Sequence, residues 1–205
     1  MKVVIIDYGL GNLRSVAGAV QKVGYEPIVS NLLDDIEEAD KLILPGVGAF
    51  GDGMLNLRKM KLVDSLTELV KRCNKPILGI CLGAQLMAQE SCEFGHHSGL
   101  EWVPASVVKF EFRDRNLRIP HVGWNEMCQV KKSVLMDGVP ADALFYYVHS
   151  FWIKCHAADI VLGECEYGQK FTSAFQCGNI YGTQFHPEKS QLHGLTVLKN
   201  FLEKV

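Results

Sequence analysis

The chain has 205 residues, of which 48% are hydrophobic and 21% are charged, so it has the composition of a globular protein with a continuous core. Its 21 basic and 23 acidic side chains give a formal net charge of −2. This balance argues against a nucleic-acid binder with a basic face and against a polybasic membrane anchor.

Membrane, secretory and metal-binding patterns are absent from the sequence. The N-terminal apolar run ends at Asp7, and no run reaches the roughly 18 apolar residues of a membrane span. The seven cysteines are an odd number without metal-finger spacing, and the pair His96-His97 has no cysteine or acid at useful ligand spacing. We therefore expect a cytoplasmic protein with reduced thiols, no metal and no other cofactor.

The first half of the chain alternates short apolar runs with segments of helical periodicity. The pattern predicts strands at 2–7, 27–29, 41–44 and 76–80, and helices at 12–23, from 53 to about 73, and from 84 to about 91. The first strand, helix and second strand form a βαβ unit, which indicates a parallel sheet.

After Gly99 the pattern changes to short alternating strands. These are predicted at 106–112, 125–130, 143–149, 160–165, 172–176 and 180–185, before a helix with an apolar stripe from 192 to 202. A tract with Arg113, Arg115 and Arg118 among acidic residues is expected to form a solvated hairpin. The absence of a linker between the halves predicts one three-layer α/β domain over residues 1–205, mostly parallel first and antiparallel-rich later.

The most specific local pattern is Gly79-Ile80-Cys81-Leu82-Gly83, where a buried strand must turn directly into a helix. This is a nucleophile elbow with cysteine in place of serine. Glycines two positions before and after the nucleophile avoid collisions, and the helix N-terminus favours a thiolate. The Leu82 amide is placed to stabilise an oxyanion. On this pattern alone, a buried cysteine between packing glycines is the alternative.

A second pattern, His186-Pro187-Glu188, follows the last predicted strand. Residues two apart in an extended segment point the same way, so His186 and Glu188 can act as a base and its orienting acid. For either residue alone, the alternative is a solvated side chain at the end of a strand. That alternative is poor for the pair together with the Cys81 pattern.

A third, weaker pattern is Pro45-Gly46-Val47-Gly48 at the end of the third strand. If sequential strands are neighbours, this loop lies next to Cys81. Its glycines allow backbone amides to approach a ligand or to reorient, which makes the loop a candidate second oxyanion donor. A tight turn between strand and helix is the alternative.

Cys81 with Gln85 four residues later, together with the His186-Pro187-Glu188 end, resembles the class I, triad-type glutamine amidotransferases. Within that class the chain resembles the glutaminase subunits of imidazole glycerol phosphate synthase along essentially its whole length. The matching segments are 7–12, 44–48, 120–125, 147–150 and 185–190.

The resemblance implies that Cys81 attacks the carboxamide of L-glutamine, that His186 passes protons and that Glu188 orients His186. Ammonia then leaves, and water releases glutamate from the thioester. The resemblance also implies that the loop at Gly46 and Val47 reorients a peptide to complete the oxyanion hole. The residues it implies around the glutamine are Gln85, Glu93, His149, Ser150 and Phe151, with Gly48 and Leu82 near the reacting carbonyl.

The resemblance further implies a partner, a (β/α)8-barrel cyclase of histidine biosynthesis that forms imidazole glycerol phosphate and an aminoimidazole carboxamide ribonucleotide. Free ammonia would be protonated in bulk water, so a glutaminase that supplies it must dock against its synthase. The implied docking residues are Asn12, Trp124, Tyr146 and Lys189. The alternatives are a helix cap for Asn12 and a core aromatic for Trp124.

Three other functions remain open at this point. Close relatives of such subunits serve other amidotransfer synthases, for instance in surface-polysaccharide pathways. A catalytically silent scaffolding subunit would be free to lose Cys81, His186 or Glu188, and all three are present. A stand-alone cysteine hydrolase predicts neither Gln85 nor the segment 120–125.

Overall fold

The protein is described by a computed structural model that covers residues 1–112 and 117–205. Arg113 and Arg115 of the predicted solvated hairpin lie outside the described residues, whereas Arg118 lies within them.

Fourteen strands and six α-helices make up the described part of the chain. The strands are β1 (Val3–Ile6), β2 (Pro27–Ser30), β3 (Lys41–Gly46), β4 (Ile77–Cys81), β5 (Glu90–Ser91), β6 (His97–Ser98), β7 (Ala105–Lys109), β8 (His121–Glu126), β9 (Cys128–Gln129), β10 (Leu144–His149), β11 (Phe151–Cys155), β12 (Val161–Glu166), β13 (Lys170–Cys177) and β14 (Ile180–Thr183). The helices are α1 (Leu13–Lys22), α2 (Leu33–Glu38), α3 (Phe50–Lys59), α4 (Leu62–Thr67), α5 (Leu82–Leu86) and α6 (Gln191–Lys204).

Eight strands form the central sheet in the order β2-β1-β3-β4-β14-β13-β12-β9. Strands β2, β1, β3, β4 and β14 run parallel, and β13, β12 and β9 continue the sheet in antiparallel pairs. Two small sheets, β10-β8 and β11-β7-β5-β6, lie beside it. The predicted change from a parallel half to an antiparallel-rich half is confirmed.

The central sheet is buried on both faces. In β1, Val3 and Ile5 belong to a core shared with α1 and α6, whereas Val4 and Ile6 belong to a core shared with α2, α3 and α4. All four side chains are fully buried because alternate residues of a strand point to opposite faces. The expected three-layer α/β architecture is confirmed.

Several predicted boundaries are wrong. The helix expected from 84 to 91 is the short α5, because backbone amides of the returning chain take its C-terminal carbonyls: Leu100 donates to Leu86 and Trp102 donates to Met87. The single strand expected at 125–130 is instead the end of β8, which begins at His121 directly after Pro120 and pairs with β10, followed by the separate short strand β9. The polar helix α2 and the strand β11 carry too weak a periodicity to stand out in the sequence.

Candidate active site

Cys81 is the last residue of β4, and α5 begins at the next residue. Its backbone φ of 52° is left-handed, which is rare for a residue with a side chain and marks a strained turn. The thiol is almost completely buried, with 6% of the residue exposed. The predicted elbow is therefore present in its geometry.

The two flanking glycines are required by close backbone contacts. A Cβ on Gly79 would lie 2.6 Å from the Cα of Ala84, and a Cβ on Gly83 would overlap the carbonyl oxygen of Leu44. Both atoms belong to the backbone, so neither can move aside as a flexible side chain would. Glycine at these positions lets the strand and helix approach closely enough to form the elbow.

Strand β14 delivers His186 and Glu188 to the same end of the sheet as Cys81. It pairs in parallel with β4, with Thr183 opposite Ile80, so the residues that follow both strands meet. His186 Nδ1 donates to Glu188 Oε1 at 2.8 Å, and their side chains are 2% and 1% exposed. The structure thus brings together the three residues predicted for catalysis. The predicted extended segment is wrong, however, because Pro187–Lys189 form a 3-10 turn, and this turn brings Glu188 back to His186.

The charge state of His186 depends on its two acidic neighbours. Burial lowers the pKa of His186, but the Cys81 thiolate and the Glu188 carboxylate outweigh it and raise the pKa to about 10. In the described residues, His186 Nε2 has no hydrogen-bond partner of normal geometry, although it is close enough to Cys81 for the sulfur charge to act on it. The arrangement favours a protonated His186 whose Nε2 faces Cys81 and can give its proton to a reacting group.

The loop after β3 lies beside the nucleophile, as predicted from strand order. Gly46 is paired with Cys81 across β3 and β4, and a Cβ on Gly46 would lie 2.7 Å from the amide nitrogen of Gly83. Gly48 has φ of 113°, and its Cβ position is open, so this part of the loop has room to move. Val47 is exposed. The loop has the position and the freedom expected of an oxyanion donor.

A cavity of about 410 Å³ opens directly over Cys81. Its walls include all five side chains predicted to contact glutamine, together with the loop and three residues that the sequence had not assigned to the substrate. The lining residues are Val47, Gly48, Cys81, Leu82, Gln85, Glu93, Pro120, Val148, His149, Ser150, Phe151 and Lys189. The size and mixed lining suit a small polar metabolite.

The carbonyl of Phe151 orders two side chains of this cavity. It accepts hydrogen bonds from Gln85 Nε2 at 2.8 Å and from His149 Nδ1 at 2.9 Å. Glu93 is held by a separate contact, in which its Oε2 accepts from the Phe50 amide at 2.7 Å. These contacts fix the polar groups before a ligand arrives.

His149 is neutral, because burial lowers its pKa to about 3. Its Nδ1 must carry a proton to donate to Phe151, so its Nε2 accepts from His121 Nδ1, 3.4 Å away. Burial also lowers the pKa of His121, to about 4. With both ring nitrogens engaged, His149 offers a substrate its ring face and edge, and sequence reasoning did not anticipate the pairing with His121.

Three of the four predicted docking residues form one cluster. Trp124 in β8 lies opposite Tyr146 in β10, with ring centroids 5.9 Å apart, and Lys189 Nζ lies 5.6 Å from the Tyr146 ring centroid. Trp124 is 45% exposed, so the alternative of a core aromatic is wrong. Asn12 caps α1, because its side chain accepts a hydrogen bond from the Ser15 amide at 3.3 Å. The alternative of a helix cap is therefore confirmed for this residue.

The remaining features are possible metal ligands, possible membrane-spanning helices and the His96-His97 pair, which lies outside the cavity over Cys81. In residues 1–112 and 117–205, no group of three or more His, Cys, Asp or Glu side chains is arranged to hold a metal ion. His96 is largely exposed, with its Nε2 2.8 Å from Glu90 Oε2, and His97 packs against Gly51. No helix within the described ranges has both the length and the apolar character needed to cross a membrane.

Known proteins match this chain along nearly its whole length. The family model described as "Glutamine amidotransferase class-I" matches residues 4–205. The imidazole glycerol phosphate synthase subunit HisH 2 of Pseudomonas aeruginosa is 45% identical over 99% of this chain and 100% of that protein. The subunit of the same name from Vibrio vulnificus is 48% identical over 100% of this chain and 95% of that protein.

The fold is also found in solved structures. The crystal structure of a glutamine amidotransferase superposes with a TM-score of 0.74 over 98% of this chain and 97% of that chain, at 20% sequence identity. The chain belongs to the class-I glutamine amidotransferase family. Within it, the chain belongs with the HisH subunits of imidazole glycerol phosphate synthase.

Proposed function

We propose that this chain is the glutaminase subunit of imidazole glycerol phosphate synthase, hydrolysing L-glutamine to glutamate and ammonia for histidine biosynthesis. The observation that carries the proposal is the buried triad of Cys81, His186 and Glu188 under a cavity of about 410 Å³. The near full-length relatives support the same activity.

The first half of the reaction uses the thiolate–imidazolium pair. Cys81 Sγ attacks the carboxamide carbon of glutamine, and the carbonyl electrons move onto its oxygen. Amides of Leu82 and the 46–48 loop stabilise this oxyanion. His186 then gives its Nε2 proton to the departing nitrogen, the carbon–nitrogen bond breaks, and ammonia leaves a thioester on Cys81.

The second half depends on a change in His186. Once the sulfur is acylated, its negative charge is gone, and one of the influences that raise the pKa of His186 is lost with it. The imidazole can then take a proton from water, whose oxygen attacks the thioester. Glutamate leaves, the thiolate returns, and Glu188 holds the ring in one orientation throughout.

Substrate contacts follow from the fixed polar groups. Both hydrogens of the Gln85 amide are used inside the protein, so its oxygen is left to accept from the ammonium group of glutamine. Glu93 offers a carboxylate oxygen for the same charge, and Ser150 a hydroxyl for the substrate carboxylate. Phe151 and His149 enclose the aliphatic part.

The ammonia acceptor we propose is a (β/α)8-barrel cyclase that docks, in the cytoplasm, on the cluster of Trp124, Tyr146 and Lys189. This cluster is exposed at the mouth of the cavity, since Lys189 contributes to both. Asn12 is proposed at the rim of the same surface. The whole chain, residues 1–205, is proposed to act as one domain.

The test is glutamate release from glutamine by the purified chain, alone and with a cyclase barrel of histidine biosynthesis bound to its ribonucleotide ligand. We expect release to be stimulated at least about tenfold by the liganded barrel. Without stimulation, but with Cys81 labelled by a glutamine-like electrophile, the glutaminase would stand and the cyclase partner would be wrong. Without either, the proposed function would be wrong.

A further inference from the structure

Gln184 contacts the nucleophile directly. Its side chain is buried, with 1% of the residue exposed, and its Nε2 donates to Cys81 Sγ at 3.6 Å. The sequence places it in the run before His186 but assigns it no role. A buried amide that donates a hydrogen bond to a cysteine sulfur calls for a physical explanation.

The orientation of this amide is fixed by a chain of hydrogen bonds. The Phe151 carbonyl can only accept, so the Gln85 atom at 2.8 Å from it is the NH₂ nitrogen. The same nitrogen lies 3.1 Å from Gln184, which must present its oxygen there. The opposite end of the Gln184 amide, facing the sulfur, is therefore the NH₂ donor.

The bend that follows β14 places Gln184 beside the nucleophile. Gln184 and His186 are two residues apart and both contact Cys81, whereas the side chain of Phe185 between them stacks on Phe145 at 4.0 Å between centroids. Backbone bonds hold this segment, with the Gln184 amide donating to Ser173 and the His186 amide to Tyr146. One segment thus supplies a donor to the sulfur and, two residues later, the base.

We propose that Gln184 is a positioning residue for the nucleophile, holding the Cys81 sulfur as a thiolate aimed into the cavity. The hydrogen bond is strongest to a charged sulfur and weak to a neutral thiol or a thioester, so it favours the reactive state. Its oxygen end also fixes Gln85, coupling the nucleophile to the substrate-binding amide. The inference rests on the proposed function only in taking Cys81 as the nucleophile.

The experiment measures the pH dependence of Cys81 alkylation by iodoacetamide in the full chain, following the Cys81 peptide by mass spectrometry because Cys73, Cys92 and Cys128 are exposed. In Gln184→Leu the donor is gone, and we expect the midpoint of the profile to move up by about one pH unit, so that alkylation near neutral pH slows about tenfold. In Gln184→Glu the shape is kept but a negative charge faces the sulfur, and we expect a larger shift.

The matched control is Thr183→Val, which removes a neighbouring buried hydrogen bond, from Thr183 Oγ1 to the Phe185 carbonyl at 3.0 Å, without touching Cys81. It should leave the alkylation profile in place. An unshifted profile in Gln184→Leu, or in Gln184→Glu if the leucine variant does not fold, would overturn the proposal. An equal shift of the alkylation profile in Thr183→Val would also overturn the proposal.

Glutamate release measured on the wild-type chain with its partner separates this inference from the proposed function. If wild-type release is absent while the alkylation profile depends on Gln184, the positioning role stands and the glutaminase assignment fails. If release is present and the alkylation profile does not depend on Gln184, the glutaminase assignment stands and the positioning role fails.

Discussion

Gly46 and Cys81 are directly paired in the parallel register of β3 and β4. The oxyanion loop therefore begins at the level of the nucleophile, one strand spacing away. Under the proposed function, a peptide reorientation in this loop would change the number of donors facing the substrate carbonyl without moving Cys81. We propose that a docked partner controls the reaction by acting on this loop alone.

Replacing Cys81 should abolish glutamine hydrolysis and leave the fold intact. Cys81→Ser retains the shape but loses the thiolate, and Cys81→Ala loses the nucleophile, so glutamate release should fall to background in both. Circular dichroism and thermal unfolding check the fold, and Cys165→Ser, a buried cysteine outside the cavity, is the control. Retained hydrolysis in Cys81→Ala would contradict the mechanism.

Glu188→Gln should reduce kcat by about 10² or more with little change in KM. The amide keeps the size of the side chain, but it removes the charge that helps to raise the pKa of His186 and to hold the ring. Steady-state glutamate release measures the effect. A variant with wild-type kcat would mean that the 2.8 Å contact with His186 has no catalytic consequence.

Two glycine substitutions should have opposite effects on stability. Gly83→Ala places a Cβ against the Leu44 carbonyl and should lower the free energy of unfolding by at least about 3 kcal/mol. Gly18→Ala, in the interior of α1 with nothing near its Cβ position, should raise it by about 0.5–1 kcal/mol. Urea unfolding of both variants measures these changes. Equal losses in the free energy of unfolding would refute the close backbone approach at Gly83.

Trp124→Ala should weaken partner binding at least about tenfold while leaving alkylation of Cys81 unchanged. The half-exposed indole is a large apolar anchor beside Tyr146, and its loss removes little from the core. Leu55→Ala, at a residue of similar exposure on α3, is the matched control. Titration of each variant with the barrel measures binding, and equal affinities would place the interface elsewhere.

The protein should lose stability as the pH falls below about 6.5, because buried His121 and His149 stay neutral while their unfolded counterparts take up protons. Their pKa values are lowered to about 4 and about 3, so the unfolded state binds more protons throughout this window and stability rises with pH. His121→Phe should reduce the slope by up to about 1.4 kcal/mol per pH unit. Urea unfolding at several pH values tests this, with exposed His156→Phe as control.

Sequence patterns predicted the parts of the site that depend on local geometry. The elbow at Cys81 and the pair of His186 and Glu188 follow from residue types at short spacing, and the neighbouring of β3 and β4 follows from their order along the chain. The position of β14 beside β4 could not be predicted from the order of the strands, since a strand from the antiparallel half could have paired at several positions. Gln184 was missed because its partner, Cys81, is 103 positions away.

Boundary errors have a similar origin. The apolar run after Cys81 has helical spacing, but the chain that returns through Leu100 and Trp102 competes for its carbonyls and ends α5 at Leu86. The segment at 121–126 is half exposed and was placed four residues too late, because its alternating pattern is set by pairing with β10. Both outcomes are decided by tertiary contacts.

The place of β14 next to β4 also has a consequence for synthesis on the ribosome. The elbow strand emerges long before the segment that carries the base, so a nascent chain holds Cys81 without Gln184 or His186 until about a hundred further residues have been translated. An unfinished or C-terminally truncated copy therefore cannot consume glutamine. The proposed triad therefore becomes complete only when translation has passed Glu188.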